Sequence, residues 1–217
     1  MGRPPRISRQ DLQRAALAIV DANGADGLSM RSLAAAVGSG AMTLYRHVAD
    51  RADLDLLVVD AVLSQATWSR EPAEDWRDEV REIAEAGWQA VRAHPHAIPL
   101  ILTRRTRSPV ALEMAEAMLA ALVRGGHGGT RLLVAFRAIT AFIMGFAQSE
   151  LAGPLAVAAS QDARETVERM RSLPPDRFPC MTEVAAHAAA SDPADEFRSG
   201  LELLLSGLAA IADPPHE

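Results

Sequence analysis

Gly27-Leu28-Ser29-Met30-Arg31-Ser32-Leu33-Ala34 and, after a Gly38-Ser39-Gly40 break, Thr43-Leu44-Tyr45-Arg46-His47-Val48 form the stretch whose reading decides the fold. Ser29 suits an N-cap, because its hydroxyl can accept a hydrogen bond from a first-turn N–H that has no partner in the helix. The short helix it opens presents Leu33, Ala34 and Val37 on one face. Gly38 permits a tight turn. A second short helix, about residues 41–47, then presents Leu44 and Val48. Two short helices with apolar inner faces, joined by a Gly-containing turn, outline a helix-turn-helix. Thr43, Tyr45, Arg46 and His47 are then available to a DNA groove about 12 Å wide. The outline alone is weak evidence, since many all-α proteins contain such a corner.

Working outward, Ser8 and Asp11 have capping-box spacing ahead of Leu12, Ala15, Ala16, Ile19 and Val20, and Asn23-Gly24 ends that first helix. Asp50 is an N-cap candidate for a fourth helix running to about Trp68 through Leu54, Leu57, Val58, Ala61 and Val62. Beyond Arg70-Glu71-Pro72 the spacing predicts helices near 75–93, 96–104, 108–124, 129–152, 160–171, 181–190 and 194–212. His94-Pro95, Ser108-Pro109, Gly125–Gly129, Gly153-Pro154, Leu173–Pro175 and Asp192-Pro193 punctuate them. The expectation is an all-α chain with a small head at 1–52 and a larger helical body at 53–217.

Composition agrees with helix. Of 217 residues, 42 are Ala and 24 Leu, both low-cost helix residues, while aromatics make up 4%. Lys is absent, which excludes a Walker-type phosphate loop and a lysine Schiff base. One thiol, Cys180, excludes a disulfide framework and a multi-cysteine metal site, and fits a reducing cytoplasm. The first residues hold no apolar leader segment, and the longest apolar run, about 138–147, is too short to span a bilayer. The expected location is therefore the cytoplasm, without a membrane. Charge is uneven: residues 1–51 carry seven Arg and four Asp, and the remainder 15 Arg against 24 acids. A basic head on an acidic body suits a polyanion at the head alone. Arg3, Arg6 and Arg9 could equally be a solvated basic tail.

The stretch Ile7 to Val62 resembles the DNA-binding domain of TetR-type transcriptional regulators, most specifically in Leu33-Ala34-x-x-Val37-Gly38 and Leu44-Tyr45-x-His47-Val48. Glu196 to Leu204 is similar to the last helix of the branch nearest the tetracycline repressor. The resemblance implies a homodimer on a double-stranded DNA operator, a repressor released by a small-molecule effector. By position it implies Arg31 on a base edge, Thr43 on a thymine methyl or phosphate, and Tyr45 and His47 on phosphates. Arg46 would serve backbone or base, and Arg51 would stand in the place of a phosphate-facing Lys. Gly40-Ala41-Met42 departs from the family in offering no Gln, Asn or Arg to read bases.

Helix 129–152 repeats Leu132, Phe136, Ile139, Ile143 and Phe146, and the last helix Phe197, Leu201, Leu204, Leu208 and Ile211. This spacing makes a seam for a neighbouring helix. A seam of this kind serves equally inside one chain or between two. The resemblance implies the second, with Phe136, Ile139, Ile143, Phe146, Phe197, Leu201, Leu204 and Leu208 at a dimer interface. It also implies an effector pocket among the middle helices, around Trp88, Leu102, Met114, Met118, Phe142 and Gln148. The histidine that holds a magnesium–drug complex in the tetracycline repressor has no counterpart in residues 98–105, so tetracycline is not the expected effector.

No catalytic constellation, metal set or cofactor motif is expected. There is neither a Gly-x-Ser-x-Gly elbow nor a zinc-hydrolase His/Glu pair. His94-Pro95-His96 reads as a corner rather than a ligand set, and His127 in its glycine run as a turn. Cys180 has no activating partner. The rival readings are a helical enzyme and a protein-binding adaptor.

Overall fold

The computed structural model describes residues 7–152, 161–188 and 191–211; Arg3 and Arg6 lie outside them. Among the described residues there are eleven α-helices and no strand. They are α1 (Arg9–Asn23), α2 (Met30–Ala36), α3 (Ala41–Leu44), α4 (Arg51–Leu63), α5 (Trp76–Arg92), α6 (Ile98–Arg104), α7 (Pro109–Arg124), α8 (Gly129–Ala152), α9 (Gln161–Arg171), α10 (Pro179–Ala188) and α11 (Pro193–Ile211).

The local signals act as their chemistry predicts. Ser8 and Asp11 cap α1 reciprocally, and Gly24, at φ +71°, closes it with its N–H on the Val20 carbonyl. The Asp50 carboxylate accepts from the Asp53 amide, 2.8 Å away, to open α4. That helix stops at Leu63 instead of reaching Trp68. The Gln65 and Ala66 amides bond to the carbonyls of Val62 and Leu63, three residues back, and this tightens the chain into a turn.

Helix α4 organises the molecule because it is buried around most of its circumference. It packs on α1 on one side and on α5, α6 and α7 elsewhere. One continuous apolar core therefore runs from Leu12 and Val20, through Leu44, Val48, Leu54 and Val58, to Ile83, Ile101, Leu122, Ile139 and Phe197. Ion pairs reinforce the contact of α5 with α11: Arg81 holds Glu202, and Arg198 meets Glu85 at 3.5 Å. The hydrogen bond from Arg81 keeps the Glu202 carboxyl below its usual range.

The residues expected at a dimer seam divide between the chain's own core and its margin. Ile139, Ile143, Phe197, Leu201 and Leu208 are buried within the single chain, against its own core. They form the intrachain seam of α8 and α11, while Phe136, Phe146 and Leu204 are half-buried beside it. Spacing shows that a helix has a neighbour, and is silent on which chain supplies it. The surfaces left open are Val134, Ala141 and Gly145 on α8, and Leu203, Gly207, Ala210 and Ile211 on α11. Leu203 is 77% exposed and Ile211 53%. By length and composition Gly129–Ser149 could cross a membrane, but its Ala135, Ile139, Ile143 and Ala147 stripe is occupied by the core.

Four rings lock the body. Trp88 stacks on Phe197 with centroids 4.4 Å apart and 6° between planes, and Phe142 and Phe146 lie 5.2 and 5.4 Å from the same Phe197. Gly200 is what lets Phe142 approach α11, since a Cβ there would lie 2.7 Å from its Cζ. Gly200→Ala should therefore destabilise the fold by about 1–3 kcal/mol through overpacking, although Ala is the better helix former. Thermal unfolding tests this, and a raised midpoint would show that the ring has room.

Candidate nucleic-acid interface

Helix α2 is capped by Ser29, whose hydroxyl accepts from the Ser32 amide at 3.0 Å while Ser32 Oγ accepts from the Ser29 amide at 2.9 Å. Its end is fixed as firmly. The Ser39 amide reaches back to the Ala34 carbonyl (2.9 Å) and the Gly38 amide to that of Ala35 (3.2 Å), with Gly38 at φ +63°. This is a Schellman closure, and the left-handed residue it needs is Gly38.

Only four residues of α3 are fully helical, and the chain continues to Val48 in turns, with the Val48 amide on the Leu44 carbonyl at 2.9 Å. Leu44 and Val48 anchor this segment in the core. Thr43, Tyr45, Arg46 and His47 all face outward, as does Arg31 at the second position of α2. Tyr45 is 56% exposed and Met42 81%. Five of the six residues expected on DNA are thus exposed on α2, α3 and the turns that follow α3.

Arg51 is arranged otherwise. Its Nε donates to Asp55 Oδ1 at 2.8 Å, and its terminal nitrogens donate to the carbonyls of Leu28 and Ala25. These three bonds all end on the protein's own acceptors. Asp55 is one of two buried carboxylates on α4. Its Oδ2 also accepts from Arg104 Nε on α6 at 3.2 Å. Asp60 accepts from Arg9 of α1 at 3.1 Å and from the buried Ser108 hydroxyl, the N-cap of α7, at 2.6 Å.

A third tie runs from the His94-Pro95-His96 corner. His94 Nδ1 meets the Asp21 carboxylate of α1 at 2.9 Å, His94 Nε2 meets the Gln65 amide, and His96 Nδ1 meets the Asp21 carbonyl. The two imidazoles therefore converge on the end of α1. Sequence reading missed all three ties; acids at 55 and 60 inside an otherwise apolar helix were the one available signal.

Residues 69–212 match the family described as tetracyclin repressor-like, C-terminal domain. The chain belongs to the TetR family of transcriptional regulators. An HTH-type transcriptional regulator of Saccharopolyspora erythraea is 29% identical, covering 96% of this chain and 87% of its own. The HTH-type transcriptional repressor DrrR1 of Streptomyces coeruleorubidus is also 29% identical, over 97% and 80%. ActR of Streptomyces coelicolor, solved in complex with actinorhodin, superposes with a TM-score of 0.79 at 26% identity, covering 97% of this chain and all of its own.

In this TetR-family body the residues expected around an effector do not all converge. Trp88 and Phe142 join the aromatic cluster, with the Arg92 guanidinium 4.4 Å from the Trp88 ring centroid. The Met114 methyl of α7 nests against Gly87 of α5, where a Cβ would come within 2.8 Å of it, and Met118 of α7 is buried. Leu102 is exposed on α6 and Gln148 on α8, so these two stand apart from the buried group.

The head separates anchoring from display sharply enough to test. Leu44→Ala should cost about 2–5 kcal/mol as a core cavity. Met42→Ala should stay within about 0.5 kcal/mol, as for other surface changes. Unfolding midpoints of the two variants give the answer; a comparable loss from Met42→Ala would mean that Met42 packs against the head.

Proposed function

We propose that this TetR-family chain is a transcriptional repressor that binds a pseudo-palindromic DNA operator as a homodimer and leaves it when a small molecule enters the body. The observation that carries the reading is the display on α2 and α3: Arg31, Thr43, Tyr45, Arg46 and His47 stand outward while Leu44 and Val48 hold the scaffold behind them. That division is what entry into a major groove requires. Residues 1–52 form the reading head and residues 53–217 the effector and dimer body.

Dimerisation is supported by the open faces of α8 and α11. Gly145 and Gly207 lie mid-helix, and a Cβ on either would meet nothing within 4 Å. An exposed mid-helix Gly costs about 0.8–1 kcal/mol relative to Ala, so close approach by a second copy gives these two a purpose. The partner surface is then Val134, Ala141, Leu203 and Ile211, one register away from the buried seam. A small organic effector is supported by the ActR complex with actinorhodin and by the aromatic cluster around Phe197 in the body of this chain. The protein acts in the cytoplasm, where its DNA lies, and catalyses no reaction.

Selection of duplexes from a random library by the purified chain should enrich a two-fold symmetric sequence. Footprints should show half-site centres about 34–36 Å apart, or a multiple of that. Leu203→Arg should sediment as a monomer and lose the enriched duplex. A single asymmetric half-site bound by one copy would defeat the reading, as would a Leu203→Arg dimer of unchanged affinity.

A further inference from the structure

We propose that Arg51 and Asp55 are positioning residues for DNA recognition, and that Asp55, shared between Arg51 and Arg104, ties the posture of the reading head to the α6–α7 corner of the body. The proposal rests on the repressor reading above. It departs from the phosphate contact that the family resemblance implies for position 51.

The geometry is particular to arginine. The guanidinium spends Nε on Asp55 and its two terminal nitrogens on the carbonyls of Leu28 and Ala25. A planar fork can make three divergent bonds at once, whereas a lysine ammonium on a flexible stem cannot reproduce the set. Leu28 precedes Ser29, the N-cap of α2, and Ala25 opens the 3-10 turn between α1 and α2. Arg51 therefore pins the entry of α2, and with it Arg31, to the first turn of α4.

Asp55 gives that clamp its direction. Its carboxylate is 4% exposed, with one oxygen on Arg51 and the other on Arg104. Closer to the start of α4, Asp53 is met by Arg107 at 3.6 Å from the same corner of the body. A shift of the α6–α7 corner consequently moves the acceptor on which Arg51 is aligned. The two arginines share one buried charge, an oxygen each, so a change at Arg104 reaches the carbonyls of the head through a single carboxylate.

The test uses the full-length chain and a duplex it has enriched from a random library, with affinity measured across salt concentration. Arg51→Lys keeps the cation but not the three-way clamp. It should bind the enriched duplex roughly tenfold more weakly, in line with lost hydrogen bonds to a charged group, with the salt slope unchanged. Arg104→Gln, a half-exposed change in the body, should also weaken binding severalfold. The double variant should be no weaker than Arg51→Lys alone, because both act through Asp55. Retained affinity in Arg51→Lys, or a slope lower by about one phosphate contact, would overturn the positioning role. Unaltered affinity in Arg104→Gln, or additive losses, would overturn the relay even if Arg51→Lys failed to fold. Enrichment of no duplex at all would instead sink the repressor reading, and the proposal with it.

Discussion

Asp55 and Asp60 are charges inside a helix that is otherwise buried hydrocarbon, and the rest of the molecule is arranged around satisfying them. Each takes one partner from the head, Arg51 or Arg9, and one from the α6–α7 corner, Arg104 or Ser108. Removing a carboxylate from water costs several kcal/mol. The attraction of their partners roughly offsets that cost, so a buried pair is often no more stable than apolar side chains of similar volume. The balance does not favour these residues as sources of stability; apolar side chains would pack the same helix at less cost. What they supply is direction, since each carboxylate accepts from particular donors at particular angles. The head is thereby held in one orientation on a body with which it already shares a continuous core.

The body follows a different rule. Its core is apolar and aromatic, with Trp88 and Phe197 stacked at the centre and Phe142 admitted only by the missing side chain at Gly200. Such packing sets distances closely but has little preference for direction, and it leaves α8 and α11 each with a second face to dispose of. A lone chain with Leu203 and Ile211 in water carries apolar surface that a second copy would remove. The proposed dimer and the intrachain seam are therefore consecutive registers of the same two helices, one closing the fold and the other pairing it.

Much of this is legible in the sequence, and the part that is not has a common cause. Caps and turns are local chemistry, so Ser8, Ser29, Asp50 and Gly38 announce their roles in the order of residues alone. The display of Thr43, Tyr45, Arg46 and His47 follows from the inner-face positions of Leu44 and Val48. The spacing on α8 and α11 shows a seam but does not say whose, because a heptad-like period contains no record of which chain supplies the neighbour. Arg51 and Asp55 stand four apart on one helix and so read as a pair, but the other destinations of Arg51 and those of His94 cannot be read at all. Their partners, Ala25, Leu28, Asp21 and Gln65, lie 23 to 73 residues away, and only the folded arrangement of α1, α4 and the α5–α6 corner brings them together.

Helix α3 is where these constraints meet. Four residues are far too few for a helix to hold itself, because nucleation is unfavourable and isolated helices need about 12–15 residues to be even marginal in water. Its shape must come from its supports: the Schellman turn from α2 behind it, the burial of Leu44 and Val48 beneath it, and α4 ahead of it. Of these, α2 is itself seven residues long and is fixed at its entry by carbonyls that Arg51 holds. The reading surface therefore has little rigidity of its own and takes its posture from α4. A proposed recognition element so dependent on its neighbours suits a regulator, since a modest shift of one buried helix would redirect every group displayed on it without disturbing any of them individually.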